Sequence, residues 1–320
     1  MQRSLNTRTK TPKMKSSMDP LKRRSRWVTL MLVLLPLWLL GSGAGALWYY
    51  FHREKKLAQV EQERFAQAVS VPLMTDDLRK IVEVIGERNA SSRTAAANLS
   101  RTASMIEGLL GPSNTGYAVK RTNGPAEWPI LQVTLAGKNP QAPALWVLTS
   151  YDSRAGSRGA EANATGLAAT LAAAQALARD KPLAPVHFVF LPHANDAESP
   201  IIETAAKFVE LAKPAGSPKA ILCVESMGAG ETLWLSSREV TAAPLKLVSG
   251  LGAVYGAEVV CLGEDTDLAS TLFEMNLPAV RVSTRPLVTA DEQDERLPFA
   301  PTVAASTGRL IELIRRCATK

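Results

Sequence analysis

In the stretch LWVLTSYDS, residues 145–153, an apolar run is followed by a polar turn, and this pattern is the strongest indication of the fold class. An uninterrupted apolar run bounded by turn residues is typical of a strand that is buried on both faces. Runs of the same kind lie at 130–135, 186–191, 220–224 and 279–282. Because helical patterns separate most of them, the sequence predicts an α/β fold with a mainly parallel central sheet and helices on both faces.

Helical periodicity fills the segments between these runs. Apolar residues recur at helical spacing at 164–179, 201–213, 242–255, 268–275 and 301–316. Two more helices are expected to open the folded domain: one starts at Thr75, which resembles an N-cap, and the other spans 94–110.

The N-terminal region carries a membrane signal. No charged residue occurs from Trp27 to Phe51, and these 25 positions are enough for a helix that crosses a bilayer. The basic residues before this run predict a cytoplasmic N-terminus and an extracytoplasmic domain, as in a bacterial inner-membrane protein that faces the periplasm. A cleaved signal peptide is the alternative, because Ala44-Gly45-Ala46 resembles a cleavage site.

The predicted organisation has four parts. Gly41 and Gly45 give the anchor a GxxxG spacing through which two copies could pair. Residues 52–70 mix charged side chains with apolar ones at spacings of three to five, which predicts an amphipathic stalk helix that Pro72 ends. The expected parts are a basic cytoplasmic tail at 1–26, a transmembrane helix at 27–51, a stalk at 52–71 and an α/β domain at 72–320.

Charge and cysteine content exclude several classes of protein. The net charge is +7, but residues 1–26 hold nine Lys and Arg against one acid, which leaves 28 basic and 29 acidic side chains elsewhere. The remainder lacks the basic surface of a nucleic-acid-binding domain, so no nucleic-acid partner is expected. The three cysteines form no CxxC pair, which argues against a structural zinc site or a disulfide framework.

Polar residues cluster in the loops that follow the predicted strands. In open parallel sheets, ligands bind beyond the carboxyl ends of the strands. The informative loops are therefore SYDS at 150–153, GAEANATG at 159–166, PHANDAE at 192–198 and ESMG at 225–228. The residues expected to line a cleft there are Ser150, Tyr151, Asp152, Asn163, His193, Asn195, Glu225 and Asp267.

These loops resemble those of the di-zinc aminopeptidases, peptidase family M28, whose relatives include glutaminyl cyclases, glutamate carboxypeptidase and the transferrin receptor ectodomain. The resemblance runs from about Leu78 to the C-terminus. The family's HYDS becomes SYDS here, and GADNASG becomes GAEANATG. The phrase that ends in a Glu-Glu pair becomes FVFLPHAN at 188–195, and Asp-Met-Gly becomes ESMG.

The resemblance implies that most zinc ligands are replaced. Ser150 stands where a zinc-binding His belongs, Ala162 where the bridging carboxylate belongs, and Ala194 and Asn195 where the general-base Glu and its ligand neighbour belong. The last ligand is expected near Thr289 or Ala290, yet no histidine follows His193. Glu225 is the one implied ligand that keeps a coordinating side chain.

These substitutions favour a binding function over catalysis. A catalytic zinc normally has three protein ligands, and a two-metal site needs a shared carboxylate. The sequence therefore predicts no cofactor and no catalytic residue, and a membrane-anchored pseudopeptidase domain that binds or scaffolds a peptide or protein. An active zinc peptidase with an unrecognised site is the alternative, with zinc as its cofactor. A third reading is a structural subunit that acts through its anchor.

Three smaller interpretations remain open. His187 lies inside an apolar run, where a hydrogen-bonded core histidine is commoner than a ligand. Ser150, His193 and Asp196 have the residue types of a catalytic triad, but no GxSxG motif surrounds the serine. Asp267 precedes a predicted helix and could be its N-cap.

Overall fold

The computed structural model describes residues 30–39, 41–43, 45–53, 69–194, 201–237, 257–261, 267–285 and 294–319. The chain divides into two compact units, Met1–Lys56 and Leu57–Lys320. In the first unit, helix α1 spans Leu30–Arg53 and is long and apolar enough to cross a membrane, a property that signal sequences share. The prediction of one apolar N-terminal helix is confirmed in this coarse form, and most of the predicted stalk lies outside the described residues.

The second unit contains six longer helices and several short helical turns in its described part. Helix α2 runs into a π-helical turn at Lys80–Ile85, and a second π-helical turn, Ala160–Ala164, precedes α4. Short 3-10 turns lie at Pro125–Glu127 and Lys213–Ala215. The helices are α2 Val71–Arg79, α3 Arg93–Leu110, α4 Thr165–Leu177, α5 Ile201–Ala212, α6 Leu268–Glu274 and α7 Ala300–Thr319.

Eight described strands form one sheet. They are β1 Lys120–Asn123, β2 Pro129–Leu135, β3 Leu145–Ser150, β4 Val186–Leu191, β5 Ala220–Val224, β6 Leu233–Ser237, β7 Ala257–Cys261 and β8 Ala279–Ser283. Their order in the sheet is β1-β2-β4-β3-β5-β8-β6-β7. Strands β4, β3, β5 and β8 are parallel neighbours, and β6 and β7 also pair in parallel. The pairs β1–β2, β2–β4 and β6–β8 are antiparallel.

The sheet is buried on both faces. In β3, Leu145 and Val147 join a core with side chains of α2, α3, α4 and α7. Trp146 and Leu148 point to the opposite face and pack with side chains of α5 and α6. The period of two along a strand places alternate residues on opposite faces, which explains why this run is apolar throughout. The predicted α/β class, with helices on both faces of a mainly parallel sheet, is confirmed.

The start of the folded domain differs from the prediction. Helix α2 begins at Val71, and Ser70 is its N-cap, since the Ser70 Oγ accepts a hydrogen bond from Leu73 N at 3.5 Å. Thr75 therefore lies inside a helix and is not its cap. Pro72 lies in the first turn, where a missing N–H removes no helical hydrogen bond. It therefore belongs to the start of α2, and the stalk helix that it was predicted to end lies mostly outside the described residues.

Candidate functional site

The candidate site lies at the carboxyl ends of β3, β5 and β8. These strands are parallel neighbours, so Ser150 at the end of β3 and Glu225 after β5 reach the same edge of the sheet. Between them the described residues leave a pocket of about 10 Å³, which is room for roughly one water molecule. Its lining residues are Leu148, Thr149, Ser150, Ala194, Cys223, Val224, Glu225 and Leu268.

Ser150 is held by Asn163. The Asn163 Nδ2 donates hydrogen bonds to the Ser150 Oγ at 2.9 Å and to the Ser150 carbonyl at 2.8 Å. The Asn163 Oδ1 in turn accepts a hydrogen bond from the Arg88 Nη2 at 3.0 Å. The structure thus brings the predicted residues Ser150 and Asn163 together, and both are buried.

Arg88 is a site residue that the sequence analysis missed. Its side chain is fully buried and donates to three carbonyl groups as well as to Asn163: Tyr151 O at 3.2 Å, Ile81 O at 3.1 Å and Gly86 O at 2.6 Å. Burial lowers the pKa of the guanidinium to about 10. The acceptors lie up to 75 residues away in sequence, so no local pattern could have indicated this network.

Tyr151 and Asp152 are buried and hold the loops around the pocket. The Tyr151 hydroxyl donates to the Pro129 carbonyl at 2.6 Å, and burial raises its pKa. The Asp152 carboxylate accepts the backbone N–H of Ala194, with oxygens at 3.0 and 3.2 Å. Both side chains therefore connect the loop after β3 to neighbouring segments.

An arginine lies against two carboxylates at the edge of the pocket. The Arg281 Nε is 3.5 Å from the Glu225 Oε2, and its Nη1 is 3.6 Å from the Asp267 Oδ2. Burial and the negative charge of Asp267 raise the pKa of Glu225 to about 7, while Arg281 and Arg154 oppose that shift. The Asp267 Oδ1 also accepts the Ser270 N–H at 2.6 Å, which confirms the predicted N-cap of α6.

The position implied for a bridging carboxylate holds Ala162. Its N–H and that of Glu161 donate to the Asp294 carboxylate, so Asp294 binds the start of the helix that carries them. The neighbouring Glu161 carboxylate turns to the loop after β5, where it accepts from Ser226 Oγ at 2.5 Å and Gly228 N at 2.8 Å. Burial raises the pKa of Glu161. Sequence reasoning missed these roles of Glu161 and Asp294.

The two histidines of the α/β domain are both packed against tryptophans. His193 is buried and meets Trp128 edge-to-face, with ring centroids 6.4 Å apart. The His187 ring is tilted against Trp146, with ring centroids 4.1 Å apart, and its Nδ1 is 2.8 Å from the Thr134 Oγ1. Burial lowers the pKa of His187 to about 4.

Some predicted site residues fall outside the part of the chain that the structure describes. They are Asn195, Asp196, Thr289 and Ala290. The Ser150–His193–Asp196 interpretation and the last implied ligand position therefore stay predictions.

The described residues do not fit a zinc site. Within that part of the chain, no three His, Cys, Asp or Glu side chains are grouped so that they could hold a metal ion. The implied ligand positions 150 and 162 carry a hydroxyl and a methyl group, and the implied general-base position 194 carries a methyl group. Glu225 and Asp267 offer two carboxylates, fewer than the three protein ligands that a catalytic zinc normally has, and Arg281 already lies against both.

Comparison with known proteins agrees with the architecture. The model of Peptidase family M28 matches residues 131–258. The fold is similar to that of the LapA aminopeptidase of Legionella pneumophila, with 16% identity, a TM-score of 0.61 and coverage of 82% of this chain and 74% of LapA. A search of curated proteins by sequence found no match.

Two further solved structures share the fold. A Zn-dependent exopeptidase from Parabacteroides distasonis is 12% identical with a TM-score of 0.56, and the match covers 77% of this chain and 98% of the exopeptidase. A glutaminyl cyclase from Porphyromonas gingivalis is 14% identical with the same TM-score and the same coverage. At these identities the likeness establishes the fold of the domain.

Proposed function

We propose that this chain, which is M28-like in its family match and in its fold, is a membrane-anchored pseudopeptidase whose domain binds or scaffolds a partner outside the cytoplasm. One observation carries the proposal. The polar groups at the carboxyl edge of the sheet contact one another: Asn163 donates a hydrogen bond to Ser150, and the Arg281 guanidinium lies 3.5 Å from the Glu225 carboxylate. A metal ion at Ser150 or Glu225 would have to compete with these contacts, which supports the proposal.

The proposed partner is a peptide or a protein, which the likeness to an aminopeptidase and an exopeptidase supports, and the proposed place of binding is the carboxyl edge of the sheet. The anchor would set the height of the domain above the membrane, with the N-terminus in the cytoplasm and the domain in the periplasm of a bacterial cell. Gly41 and Gly45 would allow two anchors to pair. We expect neither a nucleic-acid partner nor a cofactor.

An active zinc-dependent hydrolase is the second candidate function. Its support is the likeness to an aminopeptidase and to a Zn-dependent exopeptidase. It needs ligands beyond Glu225 and Asp267, and when bound the zinc would polarise a carbonyl or activate a water. Fold alone does not decide between the candidates, because one fold carries many activities.

A hydrolysis assay tests the proposal against this alternative. The full chain in detergent, supplied with zinc, is given aminoacyl and glutaminyl peptide substrates, and Glu225→Gln is the matched control. Glu225→Gln removes the charge at the remaining ligand position and keeps the size of the side chain, and we expect the wild type to show no turnover above this control. Turnover by the wild type that Glu225→Gln abolishes would restore the hydrolase.

A photocrosslinking experiment tests partner binding. A photoreactive residue is placed at Ala155, which is exposed on the loop after β3, or at Ala136, which is exposed after β2. Because β2 is antiparallel to β4, its carboxyl end lies at the opposite edge of the sheet, so Ala136 is the matched control. We expect adducts from position 155 alone in the native membrane. Adducts from neither position, or equally from both, would contradict capture at this edge.

A further inference from the structure

The fold places one guanidinium where two carboxylates converge. Arg281 is on β8, and β8 pairs with β5, so its side chain reaches Glu225 directly after the end of β5. Asp267, at the start of α6, approaches the same guanidinium. The Arg281 side chain is 4% exposed, that of Asp267 12% and that of Glu225 23%.

The two acids can both be ionised at this position only if a positive charge lies close to them. Two carboxylates that share a partly buried site repel each other and lose hydration, so both can ionise there only beside a positive charge. In a metallopeptidase a metal ion supplies such charge. Here the guanidinium of Arg281 supplies the positive charge, because two of its nitrogens lie against the carboxylates of Glu225 and Asp267.

We infer that Arg281 is a built-in cation that balances Glu225 and Asp267 in place of a metal ion. The site is then complete without zinc, and the carboxyl edge of the sheet keeps its geometry whether or not zinc is present. This inference goes beyond the proposed function, because a domain could lack activity without any such replacement.

A charge-balance cycle tests the inference. Thermal unfolding of the full chain in detergent is followed for Arg281→Met, Glu225→Gln and the double variant. Removing the guanidinium leaves two partly buried acids without a cation, so Arg281→Met is expected to lower the Tm by about 10 °C. The double variant should recover at least half of that fall in Tm, since Glu225→Gln removes one of the two uncompensated charges. Arg79→Met is the matched control: Arg79 and Glu83 form an exposed pair, and the loss of this pair should change the Tm by about 2 °C or less.

The cycle can also contradict the inference. If the double variant unfolds at the Tm of Arg281→Met or below it, the arginine acts by packing and not by charge. If Arg281→Met does not fold, Arg281→Lys decides: it keeps a cation and should fold, and failure of both variants would overturn the inference.

Chelation gives an independent readout. EDTA and added zinc should leave the Tm of the wild type unchanged. A Tm that falls with EDTA and recovers with zinc, in the wild type but not in Glu225→Gln, would show a metal where we place the guanidinium. Activity is not part of these measurements, so their outcome is separate from that of the hydrolysis assay.

Discussion

At the scale of single residues, the site is organised by two buried arginines. Arg88 joins the end of α2's π-helical turn to the loop after β3 and to Asn163, and Arg281 joins β8 to Glu225 and Asp267. A buried guanidinium is tolerated when hydrogen bonds and opposite charges satisfy it. Both arginines therefore hold their partner groups in place at the candidate site.

The Arg88 network predicts a large stability effect. Arg88→Met should lower the free energy of unfolding by about 4 kcal/mol, because four acceptors, most of them buried, each lose a hydrogen bond from the guanidinium. Urea denaturation of the full chain measures the loss. Arg79→Met is the control, since Arg79 forms an exposed pair with Glu83 and its removal should cost about 0.5 kcal/mol or less. Equal losses in the two variants would contradict the role of Arg88.

His187 predicts a pH dependence. Its folded pKa of about 4 lies below the ordinary value of 6.5, so the unfolded chain binds this proton more readily. The stability from neutral His187 is therefore complete above about pH 6.5 and decreases as the pH falls toward 4. The Tm difference between the wild type and His187→Gln should shrink across this window on acidification. A difference that stays constant from pH 7 to pH 4 would contradict the assignment.

At the scale of elements, the sequence predicts the central strands well and the edges poorly. Strands β3, β4, β5 and β8 are buried apolar runs, and their predicted positions agree with the structure within one residue. Strand β1 was not predicted because its residues KRTN are mostly exposed and have no apolar pattern. Strand β6 is five residues long and ends in two serines, which weakens the same signal.

The candidate site was predictable only in part. The positions of Ser150, Asn163 and Glu225 follow from the rule that loops after parallel strands form the site. The pairing of Arg281 with Asp267 and of Arg88 with Asn163 depends on contacts between distant segments, and no local spacing encodes them. The residue types were visible in the sequence, whereas their partners required the fold.

The packing of α4 on the loop after β5 gives a further prediction. A Cβ added at Gly166 would overlap the backbone carbonyl of Glu225, so no side chain fits there. Gly166→Ala should lower the free energy of unfolding by about 3 kcal/mol, since backbone must move to make room. Gly108→Ala in α3 is the control: nothing lies within 4 Å of its added Cβ, and it should stabilise the helix by about 1 kcal/mol. Equal effects of both substitutions on the Tm would contradict this packing.

At the scale of the whole molecule, the chain contains an apolar N-terminal helix and an M28-like domain. The described residues of α1 are exposed and apolar, and nine basic residues precede it. An exposed apolar helix of this length is stable when lipid or another protein covers it. The basic residues would hold the N-terminus in the cytoplasm.

A reporter fusion tests this topology. Alkaline phosphatase fused after Lys320 should be active in a bacterial host, because the enzyme folds only after export. The membrane fraction should contain a product with the intact mass of all 320 residues. Deleting residues 27–51 is the control and should abolish phosphatase activity. A soluble product that lacks the first 46 residues would show that the segment is a cleaved signal peptide.

The zinc content of the purified protein is the direct test of whether the domain holds a metal. The full chain in detergent is equilibrated with excess zinc, passed through gel filtration and analysed for metal per chain. We expect a value near zero, because Arg281 lies against Glu225 and Asp267, and because the implied ligand positions 150 and 162 lack the His and carboxylate side chains that zinc requires. One or two tightly held zinc ions per chain would contradict it and identify the protein as a metallohydrolase candidate.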